Sequence, residues 1–296
     1  MPTTRARKLN LNGFELSVTL DRMAAERVKS VPGIKRLLGR GPLRKHHGHE
    51  PEVHAKDVND LYWYHVIDLG NGVVTPGFVD HRPQLDLYGL PASLAGKRCL
   101  DVATFDGFWA FEMERRGAAE VVGIDLHSRA DCDFPQNWRK EFLSVVPDHV
   151  KGEGFTFARR ALKSKARRRV LSVYEMSPER LGTFDFVFMS DLLLHLRDPF
   201  RALENLWTVT RPGGTAIIAD AYDVDLEASG QGLATRFQVV LDDYSGCHWW
   251  SHSVSALKAM IHGARFSDIE EISRFVLPTN GGAPVPKVVF RARRTE

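Results

Sequence analysis

Three acidic residues fall where apolar runs end. Asp101 closes the run RCLDVA (98–103), Asp125 ends EVVGID (120–125) twenty-four residues later, and Glu175 follows RRVLSVY (168–174). An acid in the first place suits a cationic ligand or one that offers donors. In the second place it accepts from both hydroxyls of a ribose in a bidentate pair. In the third, Glu175 offers an acid for an adenine edge, and Met176 an apolar side chain for its face. A fourth run, FDFVFMSDLLLHLRD, carries Ser190, Asp191 and His195 toward the same crevice. A histidine with the ordinary pKa of ~6.5 is poised to act there as a general base. The plainer alternative is a packing histidine on LLLHL.

These residues need a scaffold that gathers strand ends. From about residue 91 the chain alternates short apolar runs with helical stretches. Helices are expected over 107–117, 137–146, 155–167, 198–214 and 253–266. Strands are expected over 98–103, 120–125, 168–174, 184–190, 215–221, 267–277 and 287–294. Such alternation predicts an α/β fold: a doubly wound, mostly parallel sheet with helices on both faces. The last two strands lie close together, so one of them should be antiparallel. Ligands of such sheets sit outside the carboxyl ends of the strands. Neither GxGxxG nor GxxxxGK[ST] occurs, so the site is not built around a pyrophosphate.

The first ninety residues read as an N-terminal cap or arm. Residues 14–30 look mostly helical, 35–50 form a Gly-rich basic arm, and 57–67 (DVNDLYWYHVI) suggest a helix carrying rings. Asn71-Gly72 is a hairpin turn signal. Residues 222–252 are a candidate lid or insertion. The aromatic and imidazole side chains of these segments, Trp63, His65, Tyr222, His248, Trp249 and Trp250, are candidates to line an acceptor pocket. His46, His47 and His49 lie close together, but their Gly- and Lys-rich setting favours a solvated arm over a metal site, so no metal is expected.

The four acid-bearing stations resemble the class I S-adenosylmethionine-dependent methyltransferases over residues 91–296. In such families the first loop usually reads D-x-G-x-G-x-G. Here it reads DVATFDG (101–107), with Ala103 and Phe105 at two glycine positions and Gly107 at the third. The resemblance implies a cofactor, S-adenosyl-L-methionine, held by Asp101, Ala103, Phe105, Gly107, Asp125, Leu126, Glu175, Met176 and Ser190. A narrower resemblance runs through WYHVIDLGNGVVTPG (63–77), LDVATFDGFWAFEMERRGA and HWWSHSVSALKAMIHGARF. It is to a subgroup related to the tRNA wobble-uridine carboxymethyltransferases. This implies methyl transfer to a small-molecule acceptor at O, N or C, with His195 as base, or Glu175 if the acceptor is a carbon. The alternatives are a tRNA-modifying methyl or carboxymethyl transferase and a non-catalytic S-adenosylmethionine-binding protein.

Composition limits the partners. The 296 residues carry 40 Lys+Arg against 37 Asp+Glu, a net +3, which permits nucleic acid without arguing for it. The basic run ARRALKSKARRR (158–169) is expected on a helix whose body lies away from the crevice. No apolar stretch approaches the ~20 residues of a membrane helix. The basic N-terminus lacks the apolar region of a signal peptide. Three scattered cysteines form no CxxC pair, which argues against structural zinc and a disulfide framework and for a reducing, cytoplasmic setting.

Overall fold

The computed structural model describes residues 57–134, 150–238 and 248–296, together with the backbone of an antiparallel hairpin, β1 (Ala6–Leu11) and β2 (Phe14–Thr19). The expected helix over 14–30 therefore begins instead as a strand. FELSVT alternates apolar and polar residues with period two, the strand signature, while the MAAERV run beyond it lies outside the described residues. The basic arm at 35–50 with its three histidines, the helix expected over 137–146 and one of the three cysteines, Cys247, lie outside the described residues.

The helix expected over 57–67 is only a 3-10 turn, Val58–Asp60, with Asp57 accepting from the Asn59 amide. Beyond it the amides of Tyr64 and His65 donate to the Asp106 carboxylate, 2.8 Å each, instead of to carbonyls four residues back. The hairpin at Asn71-Gly72 forms between β3 (Asp68–Gly70) and β4 (Val73–Val74), both turn residues having positive φ.

The central sheet has seven strands: β5 (Arg98–Val102), β6 (Glu120–Asp125), β7 (Arg167–Val170), β8 (Phe184–Ser190), β9 (Thr210–Ala221), β12 (Ser267–Leu277) and β13 (Val285–Arg293). Their spatial order is β12-β13-β9-β8-β5-β6-β7. The pairs from β7 to β9 are parallel, and β13 is antiparallel to both of its neighbours. A small hairpin, β10 (Thr235–Phe237) with β11 (Trp250–His252), occupies part of the 222–252 segment.

Strand alternation divides the core between two faces. Leu100, Val102, Val122, Ile124, Val187 and Met189 pack under α4 (Pro199–Val209) and α6 (Val254–Gly263). Cys99, Val121, Phe186 and Phe188 face α1 (Phe108–Arg115) and α2 (Glu153–Ala161). Leu61, Trp63, Ile67, Leu69, Tyr88 and Leu90 belong to this second cluster, so residues 57–90 are woven into the core of the sheet. Two shorter helices, α3 (Pro178–Leu181) and α5 (Val224–Ala228), lie between them in sequence. The third strand is shorter than expected. It stops at Val170, and a 3-10 turn, Val173–Glu175, takes over. No described helix is long and apolar enough to cross a membrane.

Candidate functional site

The loop leaving β5 is built on two buried carboxylates. Asp101 Oδ2 accepts from Thr104 Oγ1 (2.6 Å) and from the Ala110 amide (3.1 Å), tying the loop to the first turn of α1. Asp125 Oδ2 accepts from the Phe105 amide at 2.9 Å. Between these anchors Ala103 and Phe105 hold φ of 61° and 50°, the left-handed backbone that a glycine adopts without strain. Each costs about 1–2 kcal/mol for a residue with a Cβ. The loop thus keeps the glycine conformation without two of the glycines. Gly107 cannot be replaced in the same way. Its φ is 94°, and a Cβ there would lie 2.6 Å from the rings of Phe111 and Phe155.

A cleft of about 520 Å³ opens at the carboxyl ends of β5, β6, β7 and β8. Of the residues expected at a cofactor site, Ala103, Phe105, Asp125, Leu126 and Ser190 line it. Asp125 ends β6 almost fully buried. Its Oδ1 accepts from the Leu126 amide (2.7 Å) and from Lys151 Nζ (2.9 Å). Burial alone would raise its pKa, but Lys151 and Arg168 outweigh that and hold it below the usual carboxylate value. Asp101 lies behind the loop and does not line the cleft. Burial pushes its pKa up to about 7.

One wall comes from the N-terminal segment: Tyr62, Tyr64 and His65. The His65 Nδ1 hydrogen-bonds with Asp106 Oδ1, and its ring stacks on Phe108 at 5.4 Å and 20°. Ser190, Asp191 and His195 also line the cleft. Ser190 Oγ donates to Asp191 Oδ2 at 2.9 Å, and the fully buried Lys287 pairs with Asp191 Oδ1. Asp220 lies behind and accepts from the amides of Leu192, Leu193 and Ala221. Burial pushes it up to about 6. His195 sits beside His248, ring centres 5.0 Å apart.

Several expected positions lie elsewhere. Glu175 faces outward, half-exposed, and pairs with Arg180 at 2.9 Å. The 3-10 turn rotates it away, and Ser172, Val173 and Tyr174 line the cleft in its place. Met176 is core, under the α4 face. Trp63 is also core. Its Nε1 donates to the Val58 carbonyl at 2.7 Å and its ring meets Phe157 edge-on. Tyr222 stands over Arg274, outside the cleft. His248, Trp249 and Trp250 do not line it either but brace its rim. The Trp249 amide donates to the Leu194 carbonyl, its Nε1 to the Asp133 carbonyl, and Trp250 Nε1 reaches the Arg197 carbonyl at 3.4 Å. Among the described residues no three metal-binding side chains gather.

Sequence reasoning missed Lys151, Arg129, Asp133 and Asp106. Asp133 accepts from the Tyr174 hydroxyl and the Arg197 amide, 2.7 Å each. Only Asp106 had a local signal, as the acid just before the glycine that opens α1.

Comparison with known proteins agrees with this geometry. A family model described as a methyltransferase domain matches residues 82–271. The tRNA U34 carboxymethyltransferase of Pseudomonas aeruginosa strain LESB58 is 29% identical over 177 residues, 59% of this chain and 46% of that one. The ubiquinone biosynthesis O-methyltransferase of Chromobacterium violaceum is 31% identical over 131 residues, 44% of this chain and 47% of that one. The chain thus spans about half the length of these curated relatives. In fold, the N-terminal domain of EvdMO1, crystallised in the presence of SAH and D-fucose, superposes with a TM-score of 0.52 at 16% identity, covering 92% of this chain and 96% of that one.

Fold, loop and strand-end acids together define an α/β domain of the class I S-adenosylmethionine-dependent kind. The chain belongs to the methyltransferase domain family, and its sequence is similar to the tRNA wobble-uridine carboxymethyltransferases over the matched segment.

Proposed function

We propose that the chain transfers a methyl group from S-adenosylmethionine to a small-molecule acceptor. The observation that carries this reading is a ring-lined cleft at the strand ends with a charged, buried Asp125 at its base. The donor set fits the cofactor. Asp125 would take the ribose hydroxyls, with Lys151 sharing or yielding its place on Oδ1. Leu126 and Val173 would border the adenine, and the backbone of Ala103 and Phe105 the methionine end, with Asp101 and Gly107 holding that loop from behind. When bound, the cofactor supplies an electrophilic methyl on a sulfonium. The chain's own part is to orient the acceptor and exclude water. Rings such as Tyr64 and Phe105 suit a cation, each contact being worth roughly 0.5–2 kcal/mol. Ser190 and His195 would face the acceptor, with residues 57–90 as one wall and 222–252 bracing the rim.

A small acceptor is favoured because the three arginines that end the basic run are engaged within the domain. Arg167 pairs with Glu120, Arg168 donates to the Leu126 carbonyl and Arg169 to the Arg180 carbonyl. A second reading, tRNA modification, draws on the carboxymethyltransferase relative and on the cations Lys151, Arg129 and Arg197 in the cleft. The non-catalytic reading loses ground because Ala103 and Phe105 keep the glycine-loop conformation. Titration with tRNA at two salt concentrations separates the macromolecular reading, which expects steep salt dependence, from the small-molecule one, which expects no measurable binding.

A further inference from the structure

Among the described residues His65 and His195 line the cleft. His195 has a second imidazole, His248, beside it, with ring centres 5.0 Å apart. His65 stands on a carboxylate. Asp106 is buried and both of its oxygens are committed: Oδ2 to the amides of Tyr64 and His65, Oδ1 to His65 Nδ1. With Asp106 already accepting from two amides, the geometry suits Nδ1 as donor to Oδ1, which leaves Nε2 as the ring nitrogen that accepts a proton. The ring is held by the stack on Phe108 and by the Nδ1 bond to Asp106, and Thr75 Oγ1 fixes the backbone below it by donating to the His65 carbonyl at 2.7 Å.

We propose that His65 is the general base of the transfer and Asp106 its positioning residue, and that the acceptor atom is a hydroxyl oxygen on a planar or apolar molecule. This rests on the methyl-transfer reading above. The step moves one proton. The acceptor O–H bond breaks, its oxygen pair forms the bond to the methyl carbon, the carbon–sulfur pair stays on sulfur, and the proton goes to His65 Nε2. The imidazolium then pairs with Asp106 until solvent takes the proton. A neutral amine would attack through its lone pair without such a base, so a carboxylate-backed imidazole points to oxygen. Tyr62, Tyr64 and Phe105 give the mouth its planar, apolar lining. The titratable groups facing His65 are Asp106, Asp101, Tyr64 and His81. Burial holds the imidazole of His81 well below its ordinary pKa, so it adds no positive charge beside His65. Its Nδ1 faces the Tyr88 hydroxyl at 2.9 Å, and its Nε2 has no hydrogen-bond partner among the described residues.

The test uses the full chain and three readouts. Nitrogen NMR of the histidine rings without ligand should show His65 protonated at Nδ1 and bare at Nε2, and Asp106→Asn should reverse that tautomer. An Nε2-protonated ring in the wild type overturns the proposal. Calorimetry with S-adenosylhomocysteine should give affinities within threefold for wild type, His65→Gln and Asp106→Asn. A loss beyond tenfold would make His65 a cofactor ligand and overturn the base role, whereas absent binding in the wild type would overturn the methyl-transfer reading itself. Single-turnover methylation of a panel of phenols and matched anilines should favour the phenols. The rate should fall by about 10²–10⁴ in His65→Gln and in Asp106→Asn, with acceptor KM little changed. Methylation of the anilines alone, or an undiminished rate in His65→Gln, refutes it.

Discussion

Replacing Asp125 by Asn separates its two duties. The carboxylate accepts from the Phe105 and Leu126 amides and from Lys151 Nζ, and all three bonds are partly buried. Asn keeps the shape and one acceptor oxygen but loses the charge. Toward the cofactor, hydrogen bonds to a charged acceptor are worth about 1.5–3 kcal/mol, which is roughly a 10–150-fold loss in affinity for S-adenosylhomocysteine. Toward the fold, Lys151 is left charged and little exposed, and breaking such a buried pair costs about 3–5 kcal/mol. The double variant Asp125→Asn/Lys151→Met removes the orphaned charge, so urea denaturation should recover most of that stability. Calorimetry of the double variant should still show the weakened affinity. If the folded double variant binds S-adenosylhomocysteine as tightly as the wild type, the placement of the ribose at Asp125 is wrong.

Other outcomes are expected from the same geometry. Ala103→Gly should be neutral to stabilising by up to about 1 kcal/mol in urea denaturation. Relief of left-handed strain there outweighs the entropy of glycine, and a clear loss would contradict it. The raised carboxyl of Asp101, at about 7 against 3.8 unfolded, binds its proton more tightly in the folded state. Its contribution to stability should therefore be full below pH 3.8 and fall as pH rises to about 7. Asp101→Asn keeps the acceptor for Thr104 and Ala110, so its stability relative to wild type should climb across that window. A flat difference would contradict the burial argument. A fragment starting at residue 91 should lose cooperative unfolding by circular dichroism, because Trp63, Ile67, Leu69 and Tyr88 are removed from the core.

What could be read from the sequence was set by local pattern. The strand–helix alternation, the hairpin at Asn71-Gly72 and the acids ending β5 and β6 are signals carried within a few residues of each other. The errors came where a distant partner decided. Residues 61–67 look helical, yet Asp106, some forty residues away, takes the Tyr64 and His65 amides and holds the segment extended. Strand-end logic places Glu175 at the cleft, but β7 stops five residues earlier and the intervening turn aims Glu175 at Arg180. Trp63 reads as a pocket ring because aromatic residues look alike in sequence whether they line a cleft or fill a core. Lys151 carries no pattern at all, since only the fold brings it to Asp125.

Methyl transfer to a small hydroxyl acceptor is tested most directly by following the methyl group. The full chain is incubated with S-adenosylmethionine labelled in its methyl carbon, together with a panel of small hydroxyl compounds in one arm and bulk tRNA in the other, and the label is located by mass spectrometry. Label is expected on the oxygen of a small molecule in wild type and none on tRNA, with a loss of about 10²–10⁴ in rate for His65→Gln. Label on tRNA alone, or binding of the cofactor with no transfer in either arm, would contradict this assignment.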